Sequence, residues 1–186
     1  MAKLNLGCGQ NLMEGYINVD KFDSFSPEVV WDLEATPWPF ESNFADEIMM
    51  YHVLEHLGAQ TDVFFNVMKE LYRVCAPNGI VRIAVPHPRS DGFTGDPTHV
   101  RPITEQVLSL FSKANNREWK ELGWPNTPLG IYLDIDFEIV NATINLMPHW
   151  WQKFQDGQLS NEEFEFAKQT YFNVVSEIKL DLRAVK

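Results

Sequence analysis

Residues 3–20 read K-L-N-L-G-C-G-Q-N-L-M-E-G-Y-I-N-V-D and carry the strongest structural signal in the chain. The apolar first residues predict a strand that runs directly into Gly7-Cys8-Gly9, and residues 16–19 predict a second strand that ends on Asp20. Glycines let a backbone approach a ligand closely, and an acid at the end of the next strand can accept hydrogen bonds from ribose hydroxyls. The stretch therefore indicates a nucleoside-bearing cofactor at the carboxyl end of a parallel sheet.

The spacing of this stretch argues against a dinucleotide cofactor. A dinucleotide fingerprint reads G-x-G-x-x-G, with the acid about 20 residues further on. Here Leu12 stands where the third glycine is expected, and Asp20 follows Gly9 by only 11 residues. A long helix does not fit between the two strands, and the chain contains no G-x-x-x-x-G-K-[ST] phosphate loop.

Residues 3–20 resemble motif I of the class I S-adenosylmethionine-dependent methyltransferases, and three later segments extend the resemblance. V-V-W-D-L at residues 29–33 is similar to the third strand of that superfamily and the acid that follows it. A-D-E-I-M-M-Y-H-V-L-E-H at residues 45–56 resembles strand four and its D-x-I-x-x-x-H-V-L-E-H run. L-Y-R-V-C-A-P-N-G-I-V-R-I at residues 71–83 resembles a helix, an L-K-P-G-G-type turn and strand five. Together the segments cover roughly residues 3–88, with a first connection too short for the usual first helix.

The resemblance implies an α/β fold. We expect a Rossmann-like, doubly wound, mostly parallel seven-stranded sheet with an antiparallel last strand and a helical insertion before that strand. A length of 186 residues suits a single domain. We divide this domain into a core (residues 3–88, 131–147 and 177–186), a substrate-side loop (86–130) and the helical insertion (148–176).

Local patterns add individual elements to this outline. Apolar residues at helical spacing predict a helix over Val63–Val74. A second helix is expected over Glu105–Ala114 with Thr104 as its N-cap, and a third over Asn161–Val174, where Ser160 and Glu163 fit a capping box. Long strands are expected over residues 131–146 and 177–185, and the aromatic-rich insertion between them either covers the active site or simply packs.

Composition limits the partners. The formal net charge is −11 and the basic residues are scattered, which disfavours nucleic acid and anionic membranes as partners. No apolar run reaches 18 residues, so no transmembrane helix is expected. The first residues show no signal-peptide pattern, and two isolated cysteines suggest reduced thiols, so we expect a cytoplasmic protein. The sequence does not indicate an oligomeric state.

The resemblance assigns the cofactor, S-adenosylmethionine, to a defined set of residues. Gly7, Cys8 and Gly9 would approach its amino-acid portion, and Asp20 would bind the ribose hydroxyls. The Asp32 carboxylate and the Leu33 backbone would meet the adenine. His52, at the end of strand four, would lie beside the sulfonium. For Asp20 the plainer alternative is a turn-capping aspartate.

A polar loop after strand five supplies further candidates for chemistry. Residues 86–102 read P-H-P-R-S-D-G-F-T-G-D-P-T-H-V-R-P and follow the strand at the edge of the sheet where ligands bind. His87, Asp96 and His99 are candidates to orient an acceptor or remove its proton, together with His52. Asp96-Pro97-Thr98 also fits an Asx turn, and His87 between two prolines also fits a structural role. Several of these loop residues together could hold a metal, but we assign no metal ligand from the sequence.

Two other functions stay open. His52-Val53-Leu54-Glu55-His56 spells H-x-x-E-H, the zinc motif of inverted metallopeptidases, which would make the protein a zinc-dependent hydrolase. That motif should lie within a helix, whereas Ile48 to Tyr51 reads as a strand. A module that binds S-adenosylmethionine without catalysis is the other alternative. The function we predict is methyl transfer from S-adenosylmethionine to an oxygen or nitrogen of a small-molecule acceptor.

Overall fold

The computed structural model describes residues 1–186 and contains one seven-stranded sheet. In chain order its strands are β1 (Lys3–Leu6), β2 (Ile17–Asp20), β3 (Val29–Val30), β4 (Ala45–Tyr51), β5 (Cys75–Pro86), β6 (Phe137–Leu146) and β7 (Val175–Ala184). Their spatial order is β3-β2-β1-β4-β5-β7-β6. The first five strands pair in parallel, and β7 runs antiparallel to both β5 and β6. The expected sheet with an antiparallel last strand is confirmed.

Seven helices connect or flank the strands. They are α1 (Thr61–Val74), α2 (Asp91–Thr94), α3 (Glu105–Ser109), α4 (Lys113–Glu121), α5 (Leu129–Tyr132), α6 (Pro148–Gln155) and α7 (Asn161–Thr170). No α-helix lies between β1 and β2, as the spacing of the two strands predicts, and only a 3-10 turn at Asp23–Phe25 lies between β2 and β3. None of the helices is long and apolar enough to cross a membrane.

The two faces of the sheet differ in character. One face carries a cluster of 29 buried apolar residues, to which α1, α3 and α5 contribute Phe64, Leu108 and Leu129. Side chains alternate between faces along a strand, so the residues between the buried ones point the other way.

We call the opposite side of the sheet the charged face. Its central row is Lys3, Glu47, Arg82 and Asp181, with N–O distances of 3.4 Å from Lys3 to Glu47, 3.3 Å from Arg82 to Glu47 and 3.6 Å from Arg82 to Asp181. The side chains of Lys3 and Arg82 remain 38% and 43% exposed. Water, rather than a helix, therefore covers this part of the sheet.

The predicted helix over Glu105–Ala114 is wrong in extent, because the chain forms α3 and α4 there. The Thr104 side chain accepts a hydrogen bond from the Val107 amide, which confirms the predicted N-cap. Ser112 then caps α4 by accepting from the Asn115 amide. The break lets Phe111 become fully buried in the core.

The last two strands also differ from their predicted ends. β6 begins at Phe137 rather than at residue 131, because α5 and a turn with Asp134 at φ 54° occupy the preceding residues. β7 begins at Val175. Since α7 ends at Thr170 and not at residue 174, the chain has room to turn into that strand.

The helical insertion between β6 and β7 is confirmed and consists of α6 and α7. The predicted capping box is present at the start of α7, where the side chain of Ser160 and that of Glu163 each accept from the other's backbone amide. The insertion is joined to the polar loop after β5. Arg89 donates to the carbonyl oxygens of Lys168 and Gln169, and the Asn173 amide group donates to Asp91 at 2.8 Å.

Candidate functional site

Two cavities open at the carboxyl edge of the parallel strands. The first has a volume of about 190 Å³. The second has a volume of about 530 Å³. His56, in the short turn that follows β4, lines both cavities. The two spaces are therefore neighbours that share one side-chain wall.

Gly7 forms part of the wall of the first cavity, next to Val53. Its backbone has φ +67°, and a Cβ atom there would lie 2.4 Å from Val53 Cγ2. The amides of Gly7 and Cys8 both donate to the Val19 carbonyl, at 2.8 and 3.0 Å, which ties the loop after β1 to β2. Glycine is therefore needed at this position to keep the loop against Val53.

Cys8 and Gly9 complete the loop but do not line the first cavity. Cys8 is buried, and burial raises the pKa of its thiol, so the thiol stays protonated near neutral pH. Gly9 has φ +47° with open space where a Cβ would stand. A ligand beside this loop would therefore contact the backbone of Cys8 and Gly9 rather than their side chains.

Asp20 lies in the first cavity at the end of β2. One of its carboxylate oxygens accepts from the Gly9 amide at 2.8 Å, and the other accepts from the Phe22 amide at 3.0 Å. These bonds fix the orientation of the carboxylate. Each oxygen can accept more than one hydrogen bond, so the group can still receive ligand hydroxyls.

Asp32 and Leu33 line the same cavity, and Asp32 has a partner that the sequence did not suggest. Lys21 Nζ is 2.8 Å from Asp32 Oδ2, and this contact lowers the pKa of the Asp32 carboxyl. The other Asp32 oxygen accepts from the Glu34 amide at 3.0 Å. The Leu33 amide donates to no protein acceptor, so it remains available to a ligand.

The second cavity has no hydrophobic residue in its lining. The ionisable side chains that line it are those of His52, Glu55, His56, Asp96, His99 and Glu177. They come from the end of β4, from the loop after β5 and from the start of β7. This arrangement can donate and accept hydrogen bonds with a polar ligand.

His52 follows β4 with φ 55° and lines the second cavity rather than the first. Its Nε2 is 2.9 Å from Glu177 Oε1, and its Nδ1 is 3.5 Å from Glu55 Oε1. The Glu55 carboxylate 3.5 Å away, together with the charge of Glu177, raises the pKa of His52 above 6.5. Glu177 is a residue that the sequence analysis missed, because it lies more than a hundred positions away and looks like an ordinary charged residue of an alternating strand.

The predicted loop residues divide between two locations. Asp96 and His99 line the second cavity, whereas His87 does not. Asp96 also forms the expected Asx turn, accepting from the Thr98 amide at 2.8 Å. The His87 ring nitrogen accepts from the Arg89 amide at 3.2 Å, and burial together with Arg89 lowers the pKa of His87.

The H-x-x-E-H run lacks the helix that an inverted metallopeptidase needs. Only Leu54–His56 form a 3-10 turn, and His52 lies before it with a positive φ. His52 and His56 therefore do not share one face of a helix. The structure instead groups Glu55 and His56 with His99.

Comparisons with known proteins agree with this architecture. A family model described as a methyltransferase domain matches residues 9–83. No curated protein matches the chain.

Several solved structures share the fold. A SAM-dependent methyltransferase from Archaeoglobus fulgidus is 19% identical with a TM-score of 0.59, and the match covers 98% of this chain and 85% of that one. A putative S-adenosylmethionine-dependent methyltransferase from Listeria monocytogenes is 13% identical with a TM-score of 0.56, covering 100% and 91%. The 1,6-didemethyltoxoflavin-N1-methyltransferase of Burkholderia thailandensis, solved with S-adenosylhomocysteine, is 12% identical with a TM-score of 0.54, covering 100% and 71%.

Proposed function

We propose that the chain, which has the fold of the class I S-adenosylmethionine-dependent enzymes, is a methyltransferase that methylates an oxygen or nitrogen atom of a small polar acceptor. Its cofactor is S-adenosylmethionine, which when bound supplies a methyl group activated by a sulfonium. The observation that carries the proposal is the pair of cavities that meet at His56.

Three features of the first cavity support binding of the cofactor there. The absence of a side chain at Gly7 leaves space next to Val53, which a Cβ atom would fill. Asp20 offers a fixed carboxylate to ribose hydroxyls, and the Leu33 amide is free to donate to the adenine ring. Cys8 and Gly9 would contribute backbone only, and Asp32 would act together with Lys21.

The second cavity supports a small polar acceptor. Its volume of about 530 Å³ falls within the range of small-molecule sites, roughly 300–1,000 Å³. Its lining is polar and the chain has a net charge of −11, which suits a neutral or cationic molecule better than a polyanion such as nucleic acid.

The chain's main catalytic contribution would be alignment. Holding the acceptor atom next to the first cavity is worth up to about 7–11 kcal/mol of barrier reduction. Where the acceptor is a hydroxyl, its proton must leave. Of the predicted bases, His52 and His99 line the second cavity, where the acceptor would bind, whereas His87 does not.

Calorimetric titration with S-adenosylmethionine and S-adenosylhomocysteine, followed by an acceptor panel of sugars, polyols and amines, tests the proposal. Micromolar binding and release of S-adenosylhomocysteine with a panel member would support it. Binding without turnover on any acceptor, and tolerance of substitutions at His52 and His99, would favour the non-catalytic module. Absence of binding would contradict the assignment of the first cavity.

A further inference from the structure

Glu55 is a fully buried carboxylate without a hydrogen-bond partner on either oxygen. The nearest cationic atom is His52 Nδ1 at 3.5 Å, and the His52 ring makes its shorter contact with Glu177 at 2.9 Å. A carboxylate removed from water is costly unless it is paired or coordinates a metal. Glu55 also lines the second cavity. Both oxygens are therefore available as ligand atoms for a cation that enters this cavity.

Backbone hydrogen bonds bring His99 to Glu55. The Glu55 carbonyl accepts from the amides of Val100 and Arg101, at 2.9 and 3.2 Å, so the polar loop docks on the turn after β4. The rings of His56 and His99 then meet with centroids 4.6 Å apart. Ligand-type atoms of Glu55, His56 and His99 all lie within 4.8 Å of one another.

His99 hydrogen-bonds through one ring nitrogen, and its other nitrogen, Nε2, lies 3.8 Å from Asp96 Oδ2, beyond hydrogen-bond distance. Its Nδ1 is 2.8 Å from the Phe93 carbonyl, which can only accept, so Nδ1 carries the hydrogen. In the neutral ring Nε2 then keeps its lone pair. The His99 side chain is only 7% exposed, which restricts the orientation of the ring.

His56 also uses Nδ1 for a hydrogen bond, in this case to the hydroxyl group of Thr98. The Thr98 hydroxyl donates to Asp96 Oδ1 at 2.6 Å, so its oxygen accepts from His56 Nδ1 at 3.0 Å. His56 Nε2 is therefore also left with a lone pair. Histidine ligands of metals commonly donate their other ring N–H to an oxygen acceptor in this way.

We propose that Glu55, His56 and His99 bind one divalent transition-metal ion, with Zn²⁺ and Fe²⁺ as the ions this ligand set suits. Two imidazoles and one carboxylate are a known ligand set for these ions and leave coordination positions open. The site differs from the H-x-x-E-H prediction in two ways, because His99 replaces His52 and Glu55 is a ligand rather than a base. The ligand atoms lie within 4.8 Å of one another, so the side chains must move closer for all three to lie about 2.0–2.2 Å from one ion.

The position of the ion suggests what it binds next. Glu55, His56 and His99 all line the second cavity, so an ion held by them would adjoin the proposed acceptor space. An acceptor with two adjacent oxygen atoms, such as a vicinal diol, would bind the ion through both. This role rests on the proposed methyl transfer, whereas metal binding itself does not.

Metal binding is tested on the whole chain after chelator treatment, by calorimetry with Zn²⁺ and by visible absorption with Co²⁺. We expect one ion per chain. His99→Ala should weaken Zn²⁺ binding by more than about 100-fold, and Thr98→Val, which removes only the partner of His56, by about 10- to 100-fold. His149→Ala is the control, since His149 is exposed outside the cluster and should leave Zn²⁺ affinity unchanged. Circular dichroism verifies that each variant is folded.

The outcomes separate this inference from the proposed function. S-adenosylhomocysteine binding without stoichiometric Zn²⁺ or Co²⁺ binding would overturn the metal site alone. Zn²⁺ affinity that is equal in the wild type and the His99→Ala variant would overturn it as well. Stoichiometric metal that is lost in His99→Ala and weakened in Thr98→Val supports the site, even in a protein that fails to bind S-adenosylhomocysteine.

Discussion

The Gly9 amide donates a 2.8 Å hydrogen bond to the Asp20 carboxylate, so the loop after β1 and the acid at the end of β2 hold each other in place. Asp20→Ala removes both this bond and the proposed acceptor of the ribose hydroxyls. Hydrogen bonds to charged groups contribute about 1.5–3 kcal/mol, so S-adenosylhomocysteine should bind about 10- to 100-fold more weakly in calorimetry.

Asp20→Asn separates the two roles of that carboxylate. The amide oxygen of the new asparagine can keep one backbone contact, but the negative charge is lost. The affinity of Asp20→Asn for S-adenosylhomocysteine should therefore fall between those of the wild type and Asp20→Ala. Asp23→Ala serves as the control, because Asp23 is an exposed acid three residues away. Unchanged affinity in a folded Asp20→Ala protein would remove the ribose assignment.

Gly7→Ala should close the first cavity, because the added methyl group would collide with Val53. The substitution Val53→Ala should relieve this collision. The new Cβ would stand 2.4 Å from Val53 Cγ2 and 2.8 Å from Val53 Cγ1. We expect S-adenosylhomocysteine binding to be lost in Gly7→Ala and partly restored in Gly7→Ala/Val53→Ala. Recovery should be incomplete, because φ +67° still costs a non-glycine residue about 1–2 kcal/mol. A double variant as defective as the single one would show that Val53 is not the obstacle.

Gly58→Ala should destabilise the fold more than Gly123→Ala, although both glycines have similar backbone angles. They have φ +73° and +71°, but a Cβ at Gly58 would lie 2.5 Å from the Phe64 Cα, whereas none of the atoms around Gly123 comes within 4 Å. We expect urea denaturation to give about 1–3 kcal/mol of additional loss at Gly58. Equal losses for the two variants would mean that α1 shifts freely to accommodate the methyl group.

Glu70 makes stability depend on acid pH. It accepts from Arg73 at 2.7 Å through each oxygen and from the Trp38 amide at 2.6 Å. Burial alone would raise the pKa of Glu70, but these bonds outweigh burial and lower the pKa below 4.5. A lowered pKa in the folded state stabilises the protein above the unfolded-state pKa, and this stabilisation is lost as pH falls through the folded-state value.

Glu70→Gln should therefore reduce the free energy of unfolding at pH 7 by about 1.5–3 kcal/mol. The difference from the wild type should shrink as the pH is lowered below 4.5, where the wild-type carboxyl becomes protonated. Urea midpoints measured between pH 7 and pH 3 give the comparison. Glu41→Gln, an exposed substitution in the β3–β4 connection that contains Trp38, should be neutral at every pH. A constant difference between wild type and Glu70→Gln across that range would contradict the assignment.

The sequence predicted the sheet because its signals are local. Strands β1, β2 and β4 lead into residues whose type and spacing predict a cofactor edge, and the alternation along β7 follows directly from its two unlike faces. The break between α3 and α4 escaped prediction, because Ser112 and Asn115 look like ordinary helical residues unless Phe111 is known to be buried.

The second cavity was predicted only in part for a similar reason. His52, Asp96 and His99 come from segments whose position beside the sheet is readable from the sequence. Glu177 and the orphaned state of Glu55 depend on contacts between distant segments. The grouping of Glu55 with His99 depends on the docking of the polar loop on the Glu55 carbonyl, and this contact has no local signature.

The charged face has an evolutionary consequence. Lys179 and Asp181 point toward water, while Leu180 and Leu182 between them are buried. Substitutions along β7 should therefore accumulate faster at exposed positions such as Lys179 than at their buried neighbours, except where a side chain is held by a partner, as Glu177 is by His52. The hydrated positions are the ones at which a lineage could add a new partner, or an engineer a new surface, without first rebuilding the interior of the protein.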